Sequence, residues 1–400
     1  MKVKRETWIN PSKPSYAVFG EAGYVSATEP RMIRQWSEEN KSDRADVSFT
    51  EISEDNGRTW GQRKVLSVTH KEGGFTFLGG RDGGIPFVDL DNNVTVLFSL
   101  EVVIEGEDVV SGLKRRRIFY SISKDGGGSF SSPIELVEQG EGYDAFHYMK
   151  DVYYGLNSAS LGGKPIKISR DEILLPIYVA PLDENARIYN PLGGYTFTYG
   201  GFLIGKWRGT FSDLDWRSTP LVKIDPKLSI RGFSENTVVR LNDGRILSVL
   251  RGSNSYKWFT LSHDNGRNWD EVEPLRFDDG EELFSPGSYS LLVRHSTGRL
   301  YWIANIVPTH PKGNSPRYPL CLAEIDEENV TIKRKTVFNI DVRDKGESEA
   351  LQLSNFGLYE DRDTHEIVLT YPRLFAHDDQ DWTAPCMLYR VGVEQWRDSG

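Results

Sequence analysis

The sequence predicts an all-β chain folded as a six-bladed β-propeller, and three observations carry that expectation. A Ser-x-Asp-x-Gly-x-x-aromatic motif occurs three times, each copy after a run of alternating polarity. A second element, a polar turn leading into an apolar strand, recurs along the whole chain. No long amphipathic helical pattern and no linker interrupts these repeats, so residues 1–400 read as a single domain.

The three motif copies are Ser53-Glu-Asp55-Asn-Gly57-Arg-Thr-Trp60, Ser123-Lys-Asp125-Gly-Gly127-Gly-Ser-Phe130 and Ser262-His-Asp264-Asn-Gly266-Arg-Asn-Trp269. The strand-like runs before them are 46–52, 117–122 and 258–261. Ser and Asp side chains bond the backbone N–H groups of a tight turn, and Gly supplies φ > 0. The closing aromatic then packs back between strands. Two weaker copies fill the gaps, Ser212-Asp-Leu-Asp-Trp216 and the stretch 325–332. Spacings of roughly fifty to ninety residues suit four-stranded blades with variable loops.

The turn-plus-strand element appears at 91–98, 170–178, 242–250, 297–303 and 364–370, with a degenerate first copy near Arg31 to Trp36. Six copies imply six blades.

Composition narrows the function. Hydrophobic residues make up 38% and charged residues 26%, the balance of a folded globular chain. Ten Trp and 12% aromatics suit strand cores and sugar-stacking clefts alike. A formal charge of −10 disfavours a phosphate backbone, so nucleic acid is not expected as a partner. A local cluster of arginines can still hold a small anion. No run approaches the length of a membrane span, and the basic start Met1-Lys-Val-Lys-Arg5 has no apolar segment behind it. The two cysteines, Cys321 and Cys386, have no metal-type or disulfide-framework spacing. The simplest expectation is a cytoplasmic protein without cofactor or metal; a mature secreted form would read the same.

With the boxes placed, the chain resembles the bacterial sialidase (exo-neuraminidase) superfamily, whose propellers carry these Asp-box (BNR) turns, over nearly its whole length. The sharpest match is the segment from Ser234-Glu235-Asn-Thr-Val-Val to Arg251, similar to the family's Ser-Glu-Pro-x-Val-Val-x-Leu-x-Asp-Gly pattern that ends in a pocket arginine. Glu235 and Arg251 stand sixteen residues apart, as that pattern requires. The resemblance implies that Arg251 and Arg317 belong to a triad that clamps a sugar carboxylate, Arg317 as its third arginine, with Arg31 rather than Arg34 as the first. It implies that Asp43, ahead of Asp46, is the acid/base on the loop before the first box. Bidentate guanidinium groups that stay charged are the natural partners of a carboxylate. An aspartate near the leaving oxygen can protonate it, and a glutamate at the anomeric carbon can stabilise an oxocarbenium-like transition state.

The sequence departs from the family at the nucleophile. The resemblance implies a tyrosine from the last blade, yet the corresponding strand reads Leu351-Gln-Leu-Ser-Asn-Phe356, and Tyr359 and Tyr371 fall too far along. Three readings follow. The first is an exo-acting glycoside hydrolase that removes a terminal acidic sugar from a glycan, with Asp43 and Glu235 catalytic; without a tyrosine, Glu235 would activate water and invert. The second is a propeller lyase on uronic acids, with Arg251 neutralising the carboxylate and His147 or a tyrosine as base. The third is a non-catalytic carbohydrate-binding propeller. The aromatic connection 141–157 adds Asp144 and His147 as candidates for contacting a second sugar. The acidic run from His377 to Asp381 reads as a surface loop, not a cation site.

Overall fold

Alternation and turn chemistry translate directly into blades. The computed structural model, which describes residues 1–194 and 196–393, contains six antiparallel sheets set around a common axis as a propeller. From blade 1 to blade 6 the innermost strands are Ala17–Tyr24, Ile85–Asp89, Ala159–Leu161 continued by Ile166–Lys167, Ser234–Arg240, Leu291–Arg294 and Gly357–Glu360. The second strands are Met32–Lys41, Val94–Glu105, Glu172–Val179, Ile246–Arg251, Leu300–Asn305 and Ile367–Pro372. Every copy of the turn-plus-strand repeat, including the degenerate first one, falls on a second strand. These strands have neighbours on both sides within the sheet and are covered on both faces by adjacent blades. Most of their runs are accordingly apolar, as in Leu300–Asn305, where all residues are buried, while the second strand of blade 1, Met32–Lys41, is largely polar.

The boxes occupy the turns between third and outermost strands. In each strong copy the Ser Oγ donates to the Asp carboxylate and accepts the N–H of the Gly four residues on, at 2.8–2.9 Å. The Asp carboxylate in turn accepts the N–H of the residue four positions after it, at 2.8–2.9 Å. The Thr59 hydroxyl and N–H, with the Ser53 hydroxyl, hold the Asp55 carboxyl down at about 2. The closing aromatic bridges blades: Trp269 of blade 4 stacks on Phe202 of blade 3 at 3.9 Å. Both weak copies occupy the same kind of turn in blades 3 and 5.

Blade 6 lacks such a turn for a topological reason. Its third strand, Cys386–Gly392, pairs antiparallel with Lys2–Ile9 from the start of the chain, which closes the ring. Closure between distant segments satisfies both sheet edges that an open array would expose. The packing between blades is aromatic-rich. Trp216, 1% exposed, meets Phe98 and Tyr120 edge-on at 6.0 and 5.7 Å.

One sequence expectation is corrected here. Leu351–Phe356 is not the innermost strand of the last blade; that strand is Gly357–Glu360, and 351–356 is the irregular approach to it. Gln352 there bridges to Arg317 on one side and Leu374 on the other.

Candidate functional site

The alternating strand directions sort the connections onto two faces. Box turns lie on one face. The connections from second to third strands, and from each blade to the next, lie on the other. On that second face, blades 1, 4 and 5 bring together most of the expected site.

Glu235 and Arg251 are set by a local irregularity. Ser234 pairs with Arg251 and Thr237 with Val249, so Glu235 and Asn236 form a bulge in the innermost strand of blade 4. Glu235 takes a left-handed φ of 45°, a conformation that costs a non-glycine residue on the order of 1 kcal/mol. The bulge delivers its carboxylate to Arg251, whose Nη1 donates to Oε2 at 2.5 Å. Burial pushes the Glu235 carboxyl up, but Arg251, and then Arg317 and Arg231, more than offset it and hold the group ionised.

Arg317 precedes the third strand of blade 5. Its Nε donates to the Asn314 carbonyl at 3.1 Å and its Nη1 to Gln352 Oε1 at 3.1 Å. Burial and the neighbouring Arg251 push its guanidinium down to about 10, with Glu235 and Asp43 acting in the opposite sense. It is therefore charged at neutral pH. Asp43 sits at the tip of the blade 1 hairpin, in a two-residue turn bounded by the Lys41–Arg44 pair, with φ 59° and an exposed side chain. Glu107 of blade 2 steadies that tip by pairing with Lys41, Arg44 and Lys71.

Three groups in this cluster were not legible in the sequence. Arg231, on the approach to blade 4, contributes to the field at both Glu235 and Arg317, and its Nη2 donates to Thr196 Oγ1 at 3.2 Å. Lys257, 0% exposed, lies beside Arg251 in the sheet, and its Nζ donates to the Pro286 carbonyl at 2.5 Å. Burial, reinforced by Arg251, holds that amine well below the usual lysine range. Tyr289 leads into the innermost strand of blade 5, and burial with the Glu21 and Glu235 carboxylates pushes its phenol up. The Gly287-Ser-Tyr289-Ser stretch carries no motif; only its place at the start of an inner strand marks it.

The structure does not bring Arg31 to this cluster. It lies on the box face, with Nε on the Glu54 carboxylate at 2.8 Å and Nη1 on the Gly126 carbonyl at 3.0 Å. The turn that holds it joins the first and second strands of blade 1, and such turns share the side of the boxes. Arg34 is also elsewhere, stacked over Trp60 at 4.5 Å and paired with Glu51. Asp144 and His147 lie on the same face as the cluster but in the connection between blades 2 and 3. Asp144 caps the N–H groups of Phe146 and His147 at 2.8 Å. His147 stacks on Tyr153 at 4.4 Å, with Tyr143 on its other flank at 4.8 Å.

Comparison with known proteins follows the same architecture. A family model described as a BNR repeat-like domain matches residues 31–381. Among solved structures, a Dyadobacter fermentans protein of unknown function superposes with a TM-score of 0.61 at 14% identity, covering 97% of this chain and 99% of that one. The intramolecular trans-sialidase of Ruminococcus gnavus, solved with oseltamivir carboxylate, gives 0.62 at 12% identity, covering 97% of each chain. The NanB sialidase of Streptococcus pneumoniae gives 0.59 at 13%, covering 96% of this chain and 70% of that one. A search of curated proteins returned no significant match.

Proposed function

The chain belongs to the BNR repeat-like family, and from that premise we propose that it is an exo-acting glycoside hydrolase that removes a terminal acidic sugar from a glycan. The observation that carries this reading is the Glu235–Arg251 pair at the blade 4 bulge, with Arg317 of blade 5 on the same face and near enough to act on the same carboxylate. Arg251 pairs with Glu235, and Arg317 adds a second guanidinium charge in the same field, a setting that favours an anionic ligand. The sialidases among the structural neighbours support the same substrate class.

In this reading the arginines bind the sugar carboxylate and Asp43 protonates the leaving oxygen as the glycosidic bond breaks. Tyr289 Oη attacks the anomeric carbon and its proton passes to Glu235. A water then cleaves the glycosyl–tyrosine bond, with Asp43 as base, and Glu235 returns the proton to the departing phenolate. The tyrosine comes from blade 5 in place of blade 6, and the outcome is retention, where Glu235 alone would give inversion. The lyase alternative has less support, because His147 stacks on Tyr153 and packs against Tyr143 in a different inter-blade connection.

A fluorogenic screen with 4-methylumbelliferyl glycosides of N-acetylneuraminic and glucuronic acid tests the proposal. Release from one of them is expected, with Tyr289→Phe lowering kcat by roughly 100-fold or more and the first product keeping the anomeric configuration. A folded protein that releases neither fluorophore contradicts it.

A further inference from the structure

Beneath Glu235 the propeller axis is lined by groups that the reaction just described leaves unused. The innermost strand of blade 3 breaks after Leu161 and resumes at Ile166, and the break is Gly162-Gly163-Lys164-Pro165. The two glycines let blade 3 press on the Glu235 bulge. The Gly163 N–H donates to the Asn236 carbonyl at 2.7 Å, and a Cβ at Gly162 would lie 2.5 Å from Asn236 Oδ1. Lys164 then crosses the axis, and its Nζ donates to the Leu358 carbonyl of blade 6 at 2.7 Å. Gly357, the preceding residue, is where Glu21 of blade 1 packs: a Cβ there would come 2.6 Å from the Glu21 Cβ. On the other side, the Phe356 ring meets Tyr289 of blade 5 at 5.3 Å. Five blades thus meet in a continuous set of contacts.

Polar capacity at this floor is unfilled. Among the described residues the Glu21 carboxylate accepts no hydrogen bond and forms no ion pair, although Lys164 is near enough to influence it. Lys164 spends one of its three donors on Leu358. Glu21 is half-buried, so its unpartnered carboxylate stays open to a ligand or water. Burial pushes Glu21 up and Lys164 down, each opposed by the other's charge.

We propose that Glu21 and Lys164 form a hydroxyl-reading subsite on the propeller axis, Glu21 accepting from and Lys164 donating to the hydroxyls of a sugar whose carboxylate lies on the arginines. A carboxylate that only accepts, beside an ammonium that only donates, matches a polyol, whose hydroxyls do both. The ligand class is therefore a polyhydroxylated acid, and a bare carboxylate of equal charge fills only half the site. The inference rests on the arginine clamp of the proposed function and adds the groups that select among acids.

Isothermal titration calorimetry with N-acetylneuraminic acid, D-glucuronic acid and cyclohexanecarboxylate as probes tests it. At least one sugar acid should bind about tenfold or more tighter than cyclohexanecarboxylate. Glu21→Gln, and separately Lys164→Gln or Lys164→Met, should erase that preference and leave cyclohexanecarboxylate within about twofold of the native protein. Circular dichroism melting confirms that each variant is folded, and the near-isosteric Glu21→Gln decides if a Lys164 variant is not. Equal binding of all three acids, a preference that survives Glu21→Gln, or no sugar-acid binding overturns the subsite. Arg317→Met separates the two ideas: loss of all three acids supports the clamp, and its survival in that variant overturns the clamp while the Glu21→Gln result still judges the floor.

Discussion

Glu235 shows how one residue's backbone sets the chemistry of its neighbours. The bulge that places it in a left-handed conformation gives Arg251 an ion pair, and Arg317, Arg231 and Lys257 crowd around the same carboxylate. The Glu235/Arg251 spacing was readable because a second-strand arginine must lie opposite the start of the first strand, and that distance is fixed by one hairpin. Arg31 lies on the box face instead, and the sequence does not distinguish the two because turns on opposite faces of a propeller look alike in it. Lys257 was missed for a related reason: a lysine inside Lys257–Ser262 reads as an outward-facing residue, yet here it is fully buried. An amine depressed by burial subtracts stability as pH falls below its ordinary range, since the folded state then binds fewer protons than the unfolded one. Lys257→Met is therefore expected to be more stable than the native protein by about 1–2 kcal/mol near pH 7. The gain should shrink toward pH ~10, where the unfolded amine also loses its proton. Urea unfolding across that range checks both sign and slope.

At the scale of the element, second strands and box turns were the legible parts. Second strands outside blade 1 are largely apolar, and the boxes repeat a fixed set of side-chain-to-backbone bonds. Innermost strands were not legible: they are short, are broken in blade 3, and alternate between core and axis without a consistent pattern. That is why Glu21, Lys164 and Tyr289 went unnoticed, although Gly162-Gly163-Lys164-Pro165 is an available signal for an interrupted strand with a cation at its break. Each box stands or falls on its serine. In Ser262→Ala the Gly266 N–H, buried against Leu174, loses its acceptor. The expected cost is about 1–2 kcal/mol, read as a lower urea midpoint with an unchanged m value. A carboxylate clamp formed on the opposite face should be unaffected.

For the whole molecule, ring closure ties the site to the ends of the chain. Lys2–Ile9 completes blade 6, whose innermost strand supplies Gly357 and the Leu358 carbonyl to the axis. Removing that one strand exposes the edge of Cys386–Gly392 and unlatches blade 6 from blade 1. A chain lacking Lys2–Ile9 is expected to lose its cooperative thermal transition or to aggregate, as judged by calorimetry and light scattering. The account as a whole depends on guanidinium groups from separate blades acting as one anion clamp, and a single affinity measurement tests that most directly. A flattened, 2,3-unsaturated analogue of N-acetylneuraminic acid, which mimics the oxocarbenium-like state, is titrated into the native protein and into Arg317→Met. The account predicts binding that weakens by roughly 100-fold in the variant, in line with a charge-assisted bidentate contact. Equal affinity in the two proteins, or no binding by the native one, would contradict it.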